Sequence, residues 1–240
     1  MAGEVADFSG VIVRRAPTYS AIANAIRREL LLGRAAAGER MPSLNELAIM
    51  LGQKRADVAD ALAELERLGF LVEEDGALVL HEPEHDRALL RDRLRHVESG
   101  ELWFTEYRAI IESGAAALAA LRRTPDDLVA MEEAQVLLQT AMTAIEARNA
   151  DTAFHLAVAA ACQNPEVLAA VEDARMEIAG PLDLMRVQWI KDASFHGHQI
   201  ILRAIREVRP DDAKEAMWNH IDTTRQEFEV ELRHGGSQPV

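Results

Sequence analysis

Apolar residues recur near a 3.6-residue period along most of the chain, and turn-forming residues interrupt this pattern at short intervals. In the first eighty residues the pattern predicts three helices, from Tyr19 to Leu32, from Leu44 to Leu51 and from about Arg55 to Leu68. Ser43 precedes the second helix and Glu46 follows three residues later, which is the spacing of an N-terminal capping box. The second and third helices are separated by a tight turn.

Two short apolar runs follow the third helix, from Phe70 to Val72 and from Ala77 to Leu80. The residues Asp75-Gly76 stand between them, and an Asp-Gly pair flanked by apolar runs is typical of a tight hairpin turn. Three helices followed by a hairpin predict a winged helix-turn-helix domain, which we place at residues 11–82.

The rest of the chain is predicted to be helical. Residues 83–98 are charged and contain Pro83, so we expect a linker there, and residues 99–234 show helical periodicity almost throughout. The expected helix breaks are Thr124-Pro125, the region of Asn149, Asn164-Pro165, Gly180-Pro181 and Arg209-Pro210. The fold class is therefore mainly α, a winged helix-turn-helix with a small β-hairpin followed by an all-α bundle of about six helices.

Composition limits the possible compartments and partners. The single cysteine, Cys162, excludes an intrachain disulfide, and the first residues lack the pattern of a signal peptide, so we expect a cytoplasmic protein. No apolar run approaches the roughly 18 residues of a membrane span, so we expect no membrane partner. The net charge of −14 argues against nucleic acid as a partner. Between residues 11 and 40, however, six arginines, Arg14 and Arg15 among them, face only two acidic residues and could contact phosphate.

One pair of residues has the spacing of metal ligands. Asp151 and His155 are four residues apart in a predicted helix, so both side chains project from one face. A surface aspartate that hydrogen-bonds a half-buried histidine would explain the pair alone. His198 and His220 lie on two further predicted helices, and bundles assemble metal sites from facing helices. Four ligands from three helices are a credible site for a divalent cation.

Motifs in both parts of the chain carry a family resemblance. In the N-terminal part they are GERMPSLNELA from Gly38 to Ala48, Arg55, Val58, Ala61-Leu62, Leu65 and Gly69-Phe70. In the C-terminal part they are the segments from Arg108 to Ala120, from Asp151 to Pro165 and from His198 to Ile205, and Asn219-His220-Ile221. In this order the motifs resemble the GntR superfamily of bacterial transcriptional regulators, specifically its FadR subfamily, in which a winged helix precedes an all-helical effector domain called FCD.

The resemblance implies two binding functions for the helical domain. It implies that Asp151, His155, His198 and His220 hold a divalent metal ion, with zinc as the default and Ni, Mn or Fe suited nearly as well. It also implies that Arg108, four residues before Glu112, lines the cavity and binds a small carboxylate effector through two hydrogen bonds. An ion pair between Arg108 and Glu112 is the alternative role, and the two roles are compatible.

The DNA-binding region departs from the family pattern. We expect contacts to double-stranded operator DNA from the residues at the starts of the second and third helices, namely Ser43, Asn45, Gln53, Lys54 and Arg55. Two customary arginines are absent, since Asn45 and Ala59 stand in their places. The wing reads Glu73-Glu74-Asp75-Gly76, and its three carboxylates would repel phosphate.

These observations predict a homodimeric DNA-binding transcriptional regulator, acting as a repressor, that responds to a small organic acid at a metal site in its helical domain. We do not expect an enzyme, because catalysis would not require a winged helix. The alternative is a metal sensor or metallohydrolase-like protein whose winged helix contacts other proteins.

Overall fold

The computed structural model describes residues 19–32, 34–81, 103–183 and 187–234. The chain divides into two compact units, residues 1–84 and 85–240, and each unit has its own hydrophobic core. Two of the arginines predicted to contact phosphate, Arg14 and Arg15, and the predicted linker at residues 83–98 lie outside the described residues.

The N-terminal unit contains the predicted three helices and hairpin. They are α1 (Tyr19–Leu31), α2 (Leu44–Met50), α3 (Arg55–Arg67), β1 (Leu71–Glu74) and β2 (Ala77–Leu80). Their apolar faces enclose a core that includes Ile22, Ile26, Leu47, Val58, Leu65 and Leu71. Because α2 and α3 bury one face each in this core, the polar residues at their starts are left at the surface.

Local interactions fix the start of α2 as predicted. The backbone amide of Ser43 donates to Glu46 Oε2 at 2.9 Å, and the amide of Glu46 donates to Ser43 Oγ at 3.4 Å. This reciprocal capping box satisfies backbone donors that the first helical turn cannot pair.

The hairpin has the turn that its sequence predicted. The strands pair antiparallel, with Leu71 opposite Leu80 and Glu74 opposite Ala77. Asp75 and Gly76 have φ angles of 49° and 74°, and two consecutive positive φ angles characterise the type I′ turn that suits twisted strands. The hairpin is therefore a narrow wing whose tip is acidic.

The C-terminal unit is a helical bundle. Its helices are α4 (Trp103–Arg122), α5 (Pro125–Thr140), α6 (Ala144–Ala161), α7 (Pro165–Asp183), α8 (Val187–Arg206) and α9 (Pro210–His234). Helix α6 packs against α4, α5, α7 and α8, while α9 packs on α4 and α8. Residues of α6 that face inward therefore meet side chains from several other helices.

Two of the predicted helix breaks are wrong. Asn149 lies inside α6, which instead begins after Thr143, where Thr143 and Glu146 form a second capping box. The Asn149 side chain accepts hydrogen bonds from Arg148, so it does not compete with the helical backbone. Helix α7 continues through Gly180-Pro181 to Asp183, so Pro181 stands in its last turn and the helix ends two residues later than predicted.

None of the helices in the described ranges combines the length and the hydrophobicity that a membrane crossing needs.

Candidate metal centre

Four buried side chains from three helices meet inside the C-terminal bundle. Helix α6 supplies Asp151 and His155, α8 supplies His198 and α9 supplies His220. One nitrogen or oxygen atom from each residue lies within 4.8 Å of all the others. The structure thus brings together the four residues that the sequence predicted as metal ligands.

Several of the separations between these atoms are close to those between the ligands of a single ion. His155 Nε2 lies 3.3 Å from His198 Nε2 and 3.3 Å from His220 Nε2. Asp151 Oδ1 lies 3.4 Å from His198 Nε2 and 3.9 Å from His155 Nε2. Ligands at about 2.0–2.2 Å from a tetrahedral ion are about 3.3–3.6 Å apart, so most of these distances have the expected size.

Glu112 on α4 orients His155. Its Oε2 atom contacts His155 Nδ1, and its Oε1 atom accepts a hydrogen bond of 2.7 Å from Arg108 Nε. An ionised carboxylate can only accept, so the proton of the neutral His155 ring belongs on Nδ1 and the lone pair on Nε2. This tautomer directs the lone pair of Nε2 toward the other two histidines, as a metal ligand requires.

Asp151 is held by two side chains that the sequence analysis missed. Arg175 on α7 contacts Asp151 Oδ2, and Ser194 on α8 donates to Asp151 Oδ1 at 2.6 Å. Arg175 Nη2 also donates to Thr152 Oγ1 at 2.9 Å. Neither Arg175 nor Ser194 belongs to a motif with ligand spacing, so only the packing of α7 and α8 against α6 reveals them.

The charge states of the cluster suit a cation. Burial opposes ionisation of Asp151 and Glu112, but the neighbouring arginines together with the histidines outweigh it and keep the pKa of each carboxyl below its ordinary value. Burial lowers the pKa of His155 to about 4, although the charge of Glu112 opposes the shift. At neutral pH the carboxylates are therefore charged and this imidazole is neutral, which are the metal-binding forms.

Burial also lowers the pKa of His198 and of His220. His198 stacks on Phe154 with ring centroids 3.9 Å apart and an interplanar angle of 9°. His220 approaches α8 where Gly197 leaves room, since a Cβ atom there would lie 2.5 Å from His220 Nδ1. Neutral rings held in fixed orientations, with their Nε2 atoms converging, fit a divalent cation.

Arg108 makes the ion pair that was one of its two predicted roles. The side chain is buried, and its Nε atom donates to Glu112. None of the described residues accepts a hydrogen bond from its two Nη groups. The predicted role in effector binding remains a prediction.

The predicted DNA contacts lie at the N-terminal ends of α2 and α3. Asn45, Lys54 and Arg55 are exposed, and Gln53 is half-buried. Arg55 Nε donates to Asn45 Oδ1 at 3.0 Å, so α2 holds the first side chain of α3. Ser43 is exposed, but its hydroxyl is engaged with Glu46.

Two family models match the chain. Residues 18–77 match the model described as bacterial regulatory proteins, gntR family, and residues 104–223 match the FCD domain. The four clustered ligands and Arg108 all fall within the second match.

Individual relatives cover most of the chain. It is 29% identical over 205 residues to the Uxu operon transcriptional regulator of Escherichia coli (strain K12), spanning 79% of this chain and 78% of the relative. It is 26% identical over 227 residues to the Uxu operon regulator of Haemophilus influenzae, and this match spans 87% of this chain and 80% of the relative. The solved structure of E. coli McbR/YncC has the same fold, with a TM-score of 0.52, 19% identity and coverage of 90% of this chain and 99% of that one.

Proposed function

The chain belongs to the GntR family of bacterial regulatory proteins and carries an FCD domain, so it is a transcriptional regulator, and we propose how it is controlled. In this proposal, a small organic acid bound at a divalent metal ion controls the binding of the protein to DNA. The observation that carries this proposal is the buried cluster of Asp151, His155, His198 and His220, with three Nε2 atoms and one carboxylate oxygen converging. The regulators to which the chain is similar are not enzymes, so the metallohydrolase-like alternative is set aside.

We infer that the ion is zinc. Three imidazole nitrogens and one carboxylate oxygen, at separations near those of a tetrahedral site, are donors that Zn²⁺ accepts readily. Nickel, manganese and iron accept the same donors, so the supply of metal also decides the occupant. Zn²⁺ can expand from four to five ligands, so an ion bound there could also accept the carboxylate of an acid, which its positive charge would attract.

Arg108 is the second anchor that we propose for the acid. Its guanidinium is buried beside Glu112, and its Nη groups donate to none of the described residues. A planar guanidinium can donate two parallel hydrogen bonds to one carboxylate, which gives orientation as well as attraction. Arg108 can do so while its Nε atom keeps the bond to Glu112.

We further propose that the protein is a homodimeric repressor of the FadR subfamily. A winged helix gains affinity and register when two copies contact two half-sites of one operator. The proposed DNA contacts come from Ser43, Asn45, Gln53, Lys54 and Arg55, at the starts of α2 and α3.

Operator binding is tested by capturing genomic fragments at several salt concentrations. We expect the parent protein to retain a defined set of fragments, with affinity that falls as salt rises, because phosphate contacts release counterions. Lys54→Ala combined with Arg55→Ala should abolish this selection. The control Arg203→Ala combined with Lys214→Ala removes two exposed cations of the C-terminal unit and should not.

One observation favours a second candidate, a metal sensor whose winged helix contacts a protein. Glu73, Glu74 and Asp75 are exposed at the wing tip, where other carboxylates or phosphates would be repelled. Failure of the parent protein to bind any fragment at low salt would contradict the operator-binding proposal and leave this candidate.

A further inference from the structure

Arg175 has hydrogen-bonding capacity that the described residues do not use. Its side chain is completely enclosed, and its Nη2 atom contacts Asp151 and Thr152. Its Nε and Nη1 atoms are buried and have no partner among the described residues. A buried donor without a partner costs free energy, so three N–H groups left in this state indicate an acceptor that is supplied from outside.

Each of the two arginines pairs with a carboxylate at the metal cluster. Arg108 reaches it through Glu112, which contacts His155, and Arg175 reaches it through Asp151, which lies beside His155 and His198. The centre therefore carries one guanidinium on the side of α4 and another on the side of α7.

The buried charges balance before a metal ion binds. Arg108 and Arg175 contribute two positive charges, while Asp151 and Glu112 contribute two negative charges. A divalent ion leaves this enclosed site with two excess positive charges, and uncompensated charge is costly away from water. A monocarboxylate would neutralise only one of them.

We propose that the effector is a dicarboxylate, with one carboxylate bound by Arg108 and the ion and the other bound by the unpaired Nη1 group of Arg175. This inference rests on the proposed function, because the charge excess exists only when the metal is present. It assigns Arg175 two roles, to hold Asp151 with Nη2 and to select the second acidic group with Nη1.

The test compares pairs of acids of equal carbon number on the zinc-loaded protein by calorimetric titration. Succinate is paired with butyrate and glutarate with valerate. In the pair whose chain length fits the site, we expect the dicarboxylate to bind about 10- to 100-fold more tightly than the monocarboxylate. This ratio corresponds to the usual free energy of a hydrogen bond to a charged partner. Equal affinities within the pairs would overturn the inference and leave the acid effector intact. If no acid binds although zinc is bound, the proposed acid effector is wrong, and this inference falls with it.

An Arg175→Lys variant assigns the preference to this side chain. Lysine keeps a positive charge beside Asp151, but its single nitrogen cannot contact Asp151 and bind a second acid group in the places of Nη2 and Nη1. With zinc supplied in excess, we expect the preference for the dicarboxylate to fall below about threefold. Arg148→Lys, which alters another fully buried arginine of the bundle, should keep the preference. A preference unchanged in Arg175→Lys would overturn the assignment, and if this variant loses zinc the paired acids on the parent protein still decide.

Discussion

Glu112 shows how the centre depends on side chains that are not themselves ligands. It contacts His155 through one carboxylate oxygen and accepts from Arg108 through the other. Carboxylates in this position fix the tautomer of a ligating imidazole and raise its basicity. Asp151 has equivalent support from Ser194 and Arg175. The four proposed ligands are thus held in place without a metal ion.

Replacement of Glu112 by glutamine should weaken metal binding about 10- to 100-fold, because the amide keeps the shape but loses the charge that fixes His155. Competition with a chromogenic chelator measures this change. Glu106→Gln, an exposed site on the same helix, is the matched control and should leave the affinity as it is. Equal zinc affinity in both variants would show that Glu112 does not support the centre.

Gly197→Ala should disrupt the centre by displacing His220. The added methyl group would lie 2.5 Å from His220 Nδ1, so the ring has to shift away from the other ligands. We expect lower zinc affinity and a lower melting temperature. Gly114→Ala is the control, since nothing lies within 4 Å of its Cβ position, and in that helix it should stabilise the protein by about 0.5–1 kcal/mol. Unchanged zinc binding in Gly197→Ala would contradict the described packing of His220.

The buried histidines make the metal-free protein sensitive to acid. Burial lowers the pKa of His155 from 6.5 to about 4, so between these values the unfolded chain binds a proton that the folded chain excludes. The free energy of unfolding should therefore be highest above pH 6.5 and fall as the pH drops toward 4. The lowered pKa values of Asp151 and Glu112 act in the same direction at still lower pH. Urea unfolding of chelator-treated protein at several pH values in this window measures this change. A urea midpoint that rises as the pH is lowered would contradict the prediction.

Sequence motifs predicted the ends of helices and the hairpin turn where neighbouring residues alone determine the structure. Ser43 with Glu46 predicted the start of α2, and Asp75-Gly76 predicted the hairpin turn. The helix break predicted near Asn149 is wrong because the Asn149 side chain accepts a hydrogen bond from Arg148 within α6. The ligands could be predicted because Asp151 and His155 share a helical face, whereas the contacts of Arg175 and Ser194 depend on how helices pack.

The acidic wing should limit the affinity for DNA. Glu73 and Glu74 are exposed on β1, and replacing both with lysine changes the local charge from repulsive to attractive. We expect Glu73→Lys combined with Glu74→Lys to raise operator affinity at least about tenfold at low salt and to steepen its salt dependence. Glu133→Lys combined with Glu215→Lys makes the same charge change in the C-terminal unit and should have a smaller effect. Equal effects of the two pairs would show that the wing does not face DNA.

For the whole molecule, the central question is whether the buried cluster holds a metal ion. All four ligands, both arginines and Glu112 lie between residues 108 and 220, inside the unit that matches the FCD domain. If the acid changes the operator affinity of the metal-loaded protein by some factor, the operator must change the affinity of that protein for the acid by the same factor. Regulation in the proposed form therefore requires that this cluster is loaded.

The most direct measurement is the metal content of protein purified without an affinity tag, determined by elemental mass spectrometry. We predict about one divalent ion per chain in the parent protein and none in a variant that combines His155→Ala with His198→Ala. His196→Ala, an exposed histidine two residues from His198, should retain the ion. A parent protein that carries no metal, and gains none on incubation with zinc, would contradict the account.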